Sequence, residues 1–353
     1  MTDTPPALAG PALPIAEIAA LAPEGLAERL AALAQDLHLA YSANTRRAWR
    51  AGWRVWVAFC TTAEPAWPVL PVSVDSLRAF LQARVAAGKR RATLDLNVST
   101  LRMVHRLAGI PAWPLDTLEG ELMWRAIRRS LPARQHQKDG LSIEHIERLL
   151  VPLDPAVPID ARDGALIPVA YETQLRRSFL VAMDLEHVLR WDADGTATVL
   201  IPKNKEDQEG KGRLKVLTAD TTRRLRHWIA TAGITDGALW RSVPNRHTPD
   251  RYAERLGDGD VARIYKRRAT AVGLKATEIA GHSTRIGAAQ DMLADGFQNA
   301  EIMQEVGWTS EKQLHRYTEH LAAKRGAMAR FLKRRVRNAD SDDESEFALG
   351  DRR

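Results

Sequence analysis

From Glu24 to about Ser130, apolar residues recur at helical spacing. Trp49, Trp53, Trp56 and Cys60 fall at i, i+4, i+7 and i+11, the buried stripe of an amphipathic helix, with Arg47, Arg50 and Arg54 along another face. A second helix is predicted from Ser73, with Val74, Leu77, Phe80 and Leu81 as its apolar stripe. A third runs from about Thr93 to Leu107 and is entered through Lys89, Arg90 and Arg91. The stretch 132–140 has little apolar content and ends in Asp139-Gly140, so it reads as a positively charged linker.

Beyond the linker, Ser142–Leu150 has helical spacing with acids in its first turn, where the helix dipole favours them. Arg162–His187 reads as one long, mostly helical stretch. Then the period changes to that of strands at Thr196–Ile201 and Arg213–Leu217, with an Asp194-Gly195 turn signal ahead and a polar loop between. Helices resume at Thr221–Ala232, Val261–Val272, Ser283–Gly296 and Ala300–Val306. The pattern predicts a mainly α protein: an all-helical domain over 24–131, a linker over 132–140, and a helix-rich α+β domain over 141–335 with a small antiparallel sheet. Residues 1–23, rich in Ala and Pro, read as a disordered arm, and the Asp-, Glu- and Ser-rich 336–353 as an acidic disordered tail.

Length and charge sharpen this. At 353 residues the chain has room for about two domains. A net charge of +7 and a pI near 9.7 point to a polyanionic partner, either nucleic acid or acidic lipid. No apolar run approaches the ~20 residues of a membrane span, and no basic segment precedes an apolar one as in a secretory signal. Nucleic acid is therefore the expected partner, with no membrane association. One cysteine, Cys60, allows neither an intramolecular disulfide nor a Cys-rich zinc site, which suits a reducing cytoplasm.

Four places carry candidate chemistry: Thr173–Ser178 with its arginine pair, Lys203-Asn204-Lys205, Gly281-His282-Ser283-Thr284-Arg285, and Gly307-Trp308 followed by Tyr317. His282 and Arg285, three apart on a helix, would face one small target. Two guanidiniums can hold the oxygens of one phosphate and stabilise transition-state charge. A tyrosine hydroxyl can attack phosphorus, while lysine and histidine move protons. Such a set requires no metal and no cofactor, and exchanging one phosphodiester for another needs no ATP. Each residue alone is unremarkable; the ordered combination is what carries information.

That order resembles the tyrosine recombinase (phage integrase) family, and within it the Cre-like subgroup, over roughly residues 25–335. The family runs Arg, hairpin Lys, His-x-x-Arg, His or Trp, then nucleophilic Tyr, which places Arg176, Lys205, His282, Arg285, Trp308 and Tyr317 in the catalytic roles. The resemblance implies a site-specific recombinase that works through a 3′-phosphotyrosine intermediate and a Holliday junction. It also implies a DNA core-binding domain, a homotetramer on paired inverted-repeat sites, and a place of action at the bacterial nucleoid in the cytoplasm. Arg47, Arg50, Arg54, Lys89, Arg90 and Arg91 are then candidate phosphate contacts, and Arg263, Lys266 and Arg267 lie on a helix suited to the major groove. A short helix bearing Met328, Phe331 and Leu332 is expected to dock on a neighbouring copy. Two departures stand out: Gln174 holds a place usually taken by Gly, and Phe179 one usually taken by an acid. Alternatives are a catalytically weak or inactive DNA-binding relative, and an enzyme of telomere-resolvase or type IB topoisomerase kind.

Overall fold

The computed structural model describes residues 33, 36–132, 137–201, 212–243, 255–325, 328, 331 and 332. The predicted arm, the acidic tail, most of the hairpin loop with Lys203 and Lys205, and the centre of the linker lie outside them. The chain divides between residues 135 and 136 into two compact units.

In the first unit, α1 (Ala43–Thr62) starts at Ser42, whose hydroxyl accepts from the Thr45 N–H. Its predicted stripe is its core: Trp53, Trp56 and Cys60 are fully buried. Burying each such side chain contributes roughly 1.5–3 kcal/mol. The stripe packs on α3 (Arg91–Leu107), and the two helices touch closely because Gly52 faces Thr100, whose Oγ1 would lie 2.8 Å from an added Cβ. Ser73 caps α2 (Val74–Ala86), which brings Phe80 edge-on to Trp56 at 5.2 Å. Thr117 caps α4 (Leu118–Ser130). Burial pushes the Cys60 thiol up to about 11, leaving it a small core hydrophobe.

The second unit is built round α6 (Pro158–Thr173), which is buried on nearly every side and flanked by α5 (Ile143–Leu150). The expected continuous helix over Arg162–His187 is broken. Gln174, in the left-handed region at φ 49°, stops α6. The chain then forms the short α7 (Arg177–Val181) and a 3-10 turn at Leu185–His187. A strand that the pattern did not predict, β1 (Val188–Trp191), pairs antiparallel with β2 (Ala197–Ile201), which pairs with β3 (Arg213–Leu217). On β3 the alternation is inverted relative to polarity: Leu214 and Val216 face out, while Lys215 points inward.

Helices α8 (Ala219–Thr231), α9 (Asp258–Ala271), α10 (Ser283–Ala294), α11 (Asn299–Val306) and α12 (Glu311–Arg325) complete the described unit. The mainly α class with a small antiparallel sheet is thus as predicted. Helix α9 is anchored to α6 by Asp163, a buried carboxylate that accepts from Arg162 Nε and Nη2, Arg267 Nη2 and Arg268 Nε at 2.6–3.0 Å. Gly287 lets the incoming chain lie directly on α10: an added Cβ would sit 1.8 Å from the Leu141 carbonyl oxygen.

Candidate active site

The break after α6 creates the first wall of the site. Arg176, extended and half-buried, caps α7 and faces a cleft of about 170 Å³. Its neighbour Arg177 turns elsewhere, pairing with Asp258 at 3.4 Å and covering Gly281. His282 is not helical as expected but stands just ahead of α10 as its N-cap, while Arg285 lies in the first turn. Both nonetheless line the same cleft as Arg176. The Arg285 Nη1 donates to the Gln174 carbonyl at 2.9 Å, so the left-handed residue that ends α6 also orients this guanidinium.

The opposite wall comes from the turn between α11 and α12. Gly307, at φ 72°, ends α11 in the left-handed conformation that glycine adopts without steric cost. Trp308 follows, buried, with its ring 5.5 Å below the Arg285 guanidinium and 5.4 Å from the Tyr317 ring at an interplanar angle of 22°. Tyr317, on α12, is partly buried and lines the cleft; Gln290 donates to its carbonyl at 2.8 Å. Five of the six catalytic candidates therefore share one cavity, large enough to admit a phosphate group. The sixth, Lys205, lies outside the described residues.

Electrostatics favour an anion here. Loss of hydration, and then the charges of Arg285, Arg176 and Arg177, hold the His282 imidazole below its ordinary value. Sequence reasoning missed Arg316 and Gln313, which also line the cleft, and Lys215 and Glu305 behind it. For Arg316, the only signal was its place one residue before the tyrosine.

Of the candidate DNA contacts, six lie in the first unit and three on α9 of the second. Arg47, Arg54, Lys89 and Arg90 are exposed, and Arg50 and Arg91 are half-buried. On α4, Arg125, Arg128 and Arg129 share a cleft with Arg91, a basic cluster that the sequence reading did not single out. On α9, Lys266 is exposed and Arg263 pairs with Asp260, whereas Arg267 is engaged by Asp163 at 2.6 Å.

Among the described residues, no helix is long and apolar enough to cross a membrane. The profile of the Phage integrase family matches residues 141–324. The chain is 28% identical over 313 residues to Recombinase cre of Escherichia phage P1, covering 83% of this chain and 89% of that protein. It is 28% identical over 262 residues to the Integrase/recombinase xerD homolog of Selenomonas ruminantium, covering 71% and 74%. In fold it is similar to XerH site-specific recombinase bound to palindromic difH substrate, with a TM-score of 0.59 and 14% identity over 94% of this chain and 93% of that one. A lambda integrase dimer bound to a COC′ core site gives a TM-score of 0.55 at 16% identity over 78% and 89%. With a family match across the whole cleft-bearing region, the chain belongs to the phage integrase family of tyrosine recombinases.

Proposed function

We propose that this protein is a site-specific DNA recombinase in which Tyr317 is the nucleophile. The observation that carries the reading is the meeting of Tyr317, Arg176 and Arg285 in one cavity. Arg176 and Arg285 hold the non-bridging oxygens of the scissile phosphate and stabilise the charge of the pentavalent transition state. The Tyr317 oxygen attacks phosphorus and the bond to the 5′ oxygen breaks, leaving a 3′-phosphotyrosine and a 5′-hydroxyl. His282, whose imidazole is held below its ordinary value by loss of hydration and then by the neighbouring arginines, receives the phenolic proton, and Lys205 protonates the leaving oxygen. A 5′-hydroxyl from the partner strand reverses the step and restores the tyrosine. Each cleaved phosphodiester is conserved as a phosphotyrosine ester, so no cofactor enters the balance.

The first unit supplies a core-binding surface through Arg47, Arg50, Arg54, Lys89, Arg90 and Arg91; Arg263, Lys266 and Arg267 meet DNA from α9. Phosphate contacts of this kind position a protein on duplex without specifying sequence. Exchange of both strands calls for four copies on two inverted-repeat sites and passes through a Holliday junction. Exposed Met328, Phe331 and Leu332 are apolar surface that contact between copies would cover. The place of action is the cytoplasm, at the nucleoid.

The test starts by selecting, from random duplexes, those the wild-type protein retains. A selected duplex nicked near the point of cleavage then traps the covalent complex. Wild type should form it and Tyr317→Phe should bind equally but form none; an adduct with the phenylalanine variant overturns the assignment.

A further inference from the structure

Behind the two arginines lies a second charged group that the mechanism above does not use. Lys215 occupies an inward-facing position of β3 with only 8% of its surface exposed. Inward positions beside it hold apolar residues such as Leu217, Ala197 and Val199, so an ammonium here is costly unless it is fully partnered. It is partnered three ways: by the Gln174 Oε1 at 3.1 Å, by the Glu305 carbonyl at 2.7 Å, and by the Glu305 carboxylate. Arg213 on the same strand reaches the carbonyls of Gln304 and Glu305. Two cations from β3 thus meet the C-terminal turn of α11, where unpaired carbonyls and the helix dipole favour positive charge.

This junction touches both walls of the cleft. Gln174 is the residue in the left-handed conformation that stops α6, and its carbonyl orients Arg285. Glu305 is separated only by Val306 and Gly307 from Trp308, which stacks on Tyr317. The side chain of Phe179 lines the same recess and brings no charge to it. The two departures from the family pattern, Gln174 and Phe179, therefore converge on the ion pair of buried Lys215 with half-exposed Glu305. A left-handed non-glycine is strained and persists only where its surroundings fix it; the Lys215 contact is such a fixture.

We propose that Lys215 and Glu305 act as a pair of positioning residues that lock Gln174 and the end of α11 together, so that Arg285 and Trp308 are held in register across the phosphate site. Glu305 supplies from α11 the carboxylate that Phe179 does not supply from α7. The inference rests on the assignment of the cleft as the recombinase active site. The groups facing Lys215 are Glu305 from α11, Arg213 from β3 and Arg285 from α10, with Gln174 between. Burial first, and then the two arginines, lower the Lys215 ammonium from its ordinary value, and Glu305 opposes them. Removing the carboxylate would let Lys215 lose its proton at lower pH.

The experiment uses full-length protein and the nicked selected duplex, reading covalent complex per bound protein in a single turnover across pH 7–9.5. Glu305→Gln should bind the duplex as wild type does. It should form covalent complex at least about tenfold more slowly, with the alkaline fall in rate moved to lower pH. Lys215→Met should be slow without that shift, and the double variant no slower than the worse single, because the two act as a unit. Wild-type rates and profile in Glu305→Gln, or additive losses in the double variant, overturn the proposal. Should Glu305→Gln fail to fold, Lys215→Met decides alone, since Glu305 is half-exposed and remains hydrated without its partner; normal cleavage by Lys215→Met refutes the pair. Tyr317→Phe in the same assay separates the two readings: an adduct there sinks the active-site assignment itself, whereas normal rates in the Lys215 and Glu305 variants sink only the pair.

Discussion

Replacing Asp163 by Asn removes one charge and barely alters volume, yet it should be among the most damaging single changes in the second unit. The carboxylate is fully buried and accepts four N–H groups from three arginines. An amide offers one acceptor oxygen and turns an NH₂ toward the remaining donors. The three arginines do not lose equally. Arg267 is 48% exposed in its side chain and regains water, so its share is discounted to that of a surface pair. Arg268 keeps Asp160 at 2.5 Å. Arg162, at 5% exposure, has neither recourse. Leaving one buried charge without its partner costs about 3–5 kcal/mol. Urea unfolding followed by tryptophan fluorescence should show a loss of that size in the transition of the second unit, with an unchanged slope. Arg267→Gln, the exposed comparison, should lose under about 1 kcal/mol. A loss below about 1 kcal/mol for Asp163→Asn would refute the reasoning.

Further outcomes follow from the same geometry. Arg176→Ala should retain duplex binding while lowering formation of the covalent complex about 10²–10³-fold, as removal of a single oxyanion donor does; cleavage near wild type, with loss in Arg177→Ala instead, would move the role to Arg177. The His282 imidazole of the free protein should titrate below 6.5 by NMR. Because its folded value is depressed, its stabilising contribution is present above 6.5 and is lost as pH falls through the folded value. The stability advantage of wild type over His282→Gln should therefore shrink in acid, and a constant difference from pH 7 to 5 would contradict the depressed value. Lys266→Gln should weaken binding to all duplexes alike and reduce the slope of log K against log salt by about 1; an unchanged slope removes α9 from the phosphate contacts.

The stripe of Trp49, Trp53, Trp56 and Cys60 was legible in the sequence because an amphipathic helix must bury one face, and the spacing alone reveals which. The order of cleft residues was legible as well, but their local geometry was not. Arg176 and His282 both read as helical, and both stand just outside helices. No glycine or proline marks the end of α6; Gln174 adopts the left-handed turn because tertiary partners hold its side chain. On β3, Leu214 and Val216 face out and Lys215 faces in, the reverse of what side-chain polarity alone favours. Partners 41 and 90 positions away, Gln174 and Glu305, explain that inversion, and no local pattern can show such pairings. β1 went unpredicted because four residues, two of them exposed, form no clear alternation.

The most direct measurement locates the covalent bond itself. Wild-type protein trapped on the nicked selected duplex is digested with nuclease and trypsin, and the nucleotide-bearing peptide is sequenced by mass spectrometry. Cleavage after Arg316 and Lys324 yields the peptide 317–324, and the expected result is a phosphodiester remnant on the Tyr317 oxygen of that peptide. The same remnant on Tyr171, Tyr265 or any side chain other than Tyr317 would contradict the assignment on which the mechanism stands.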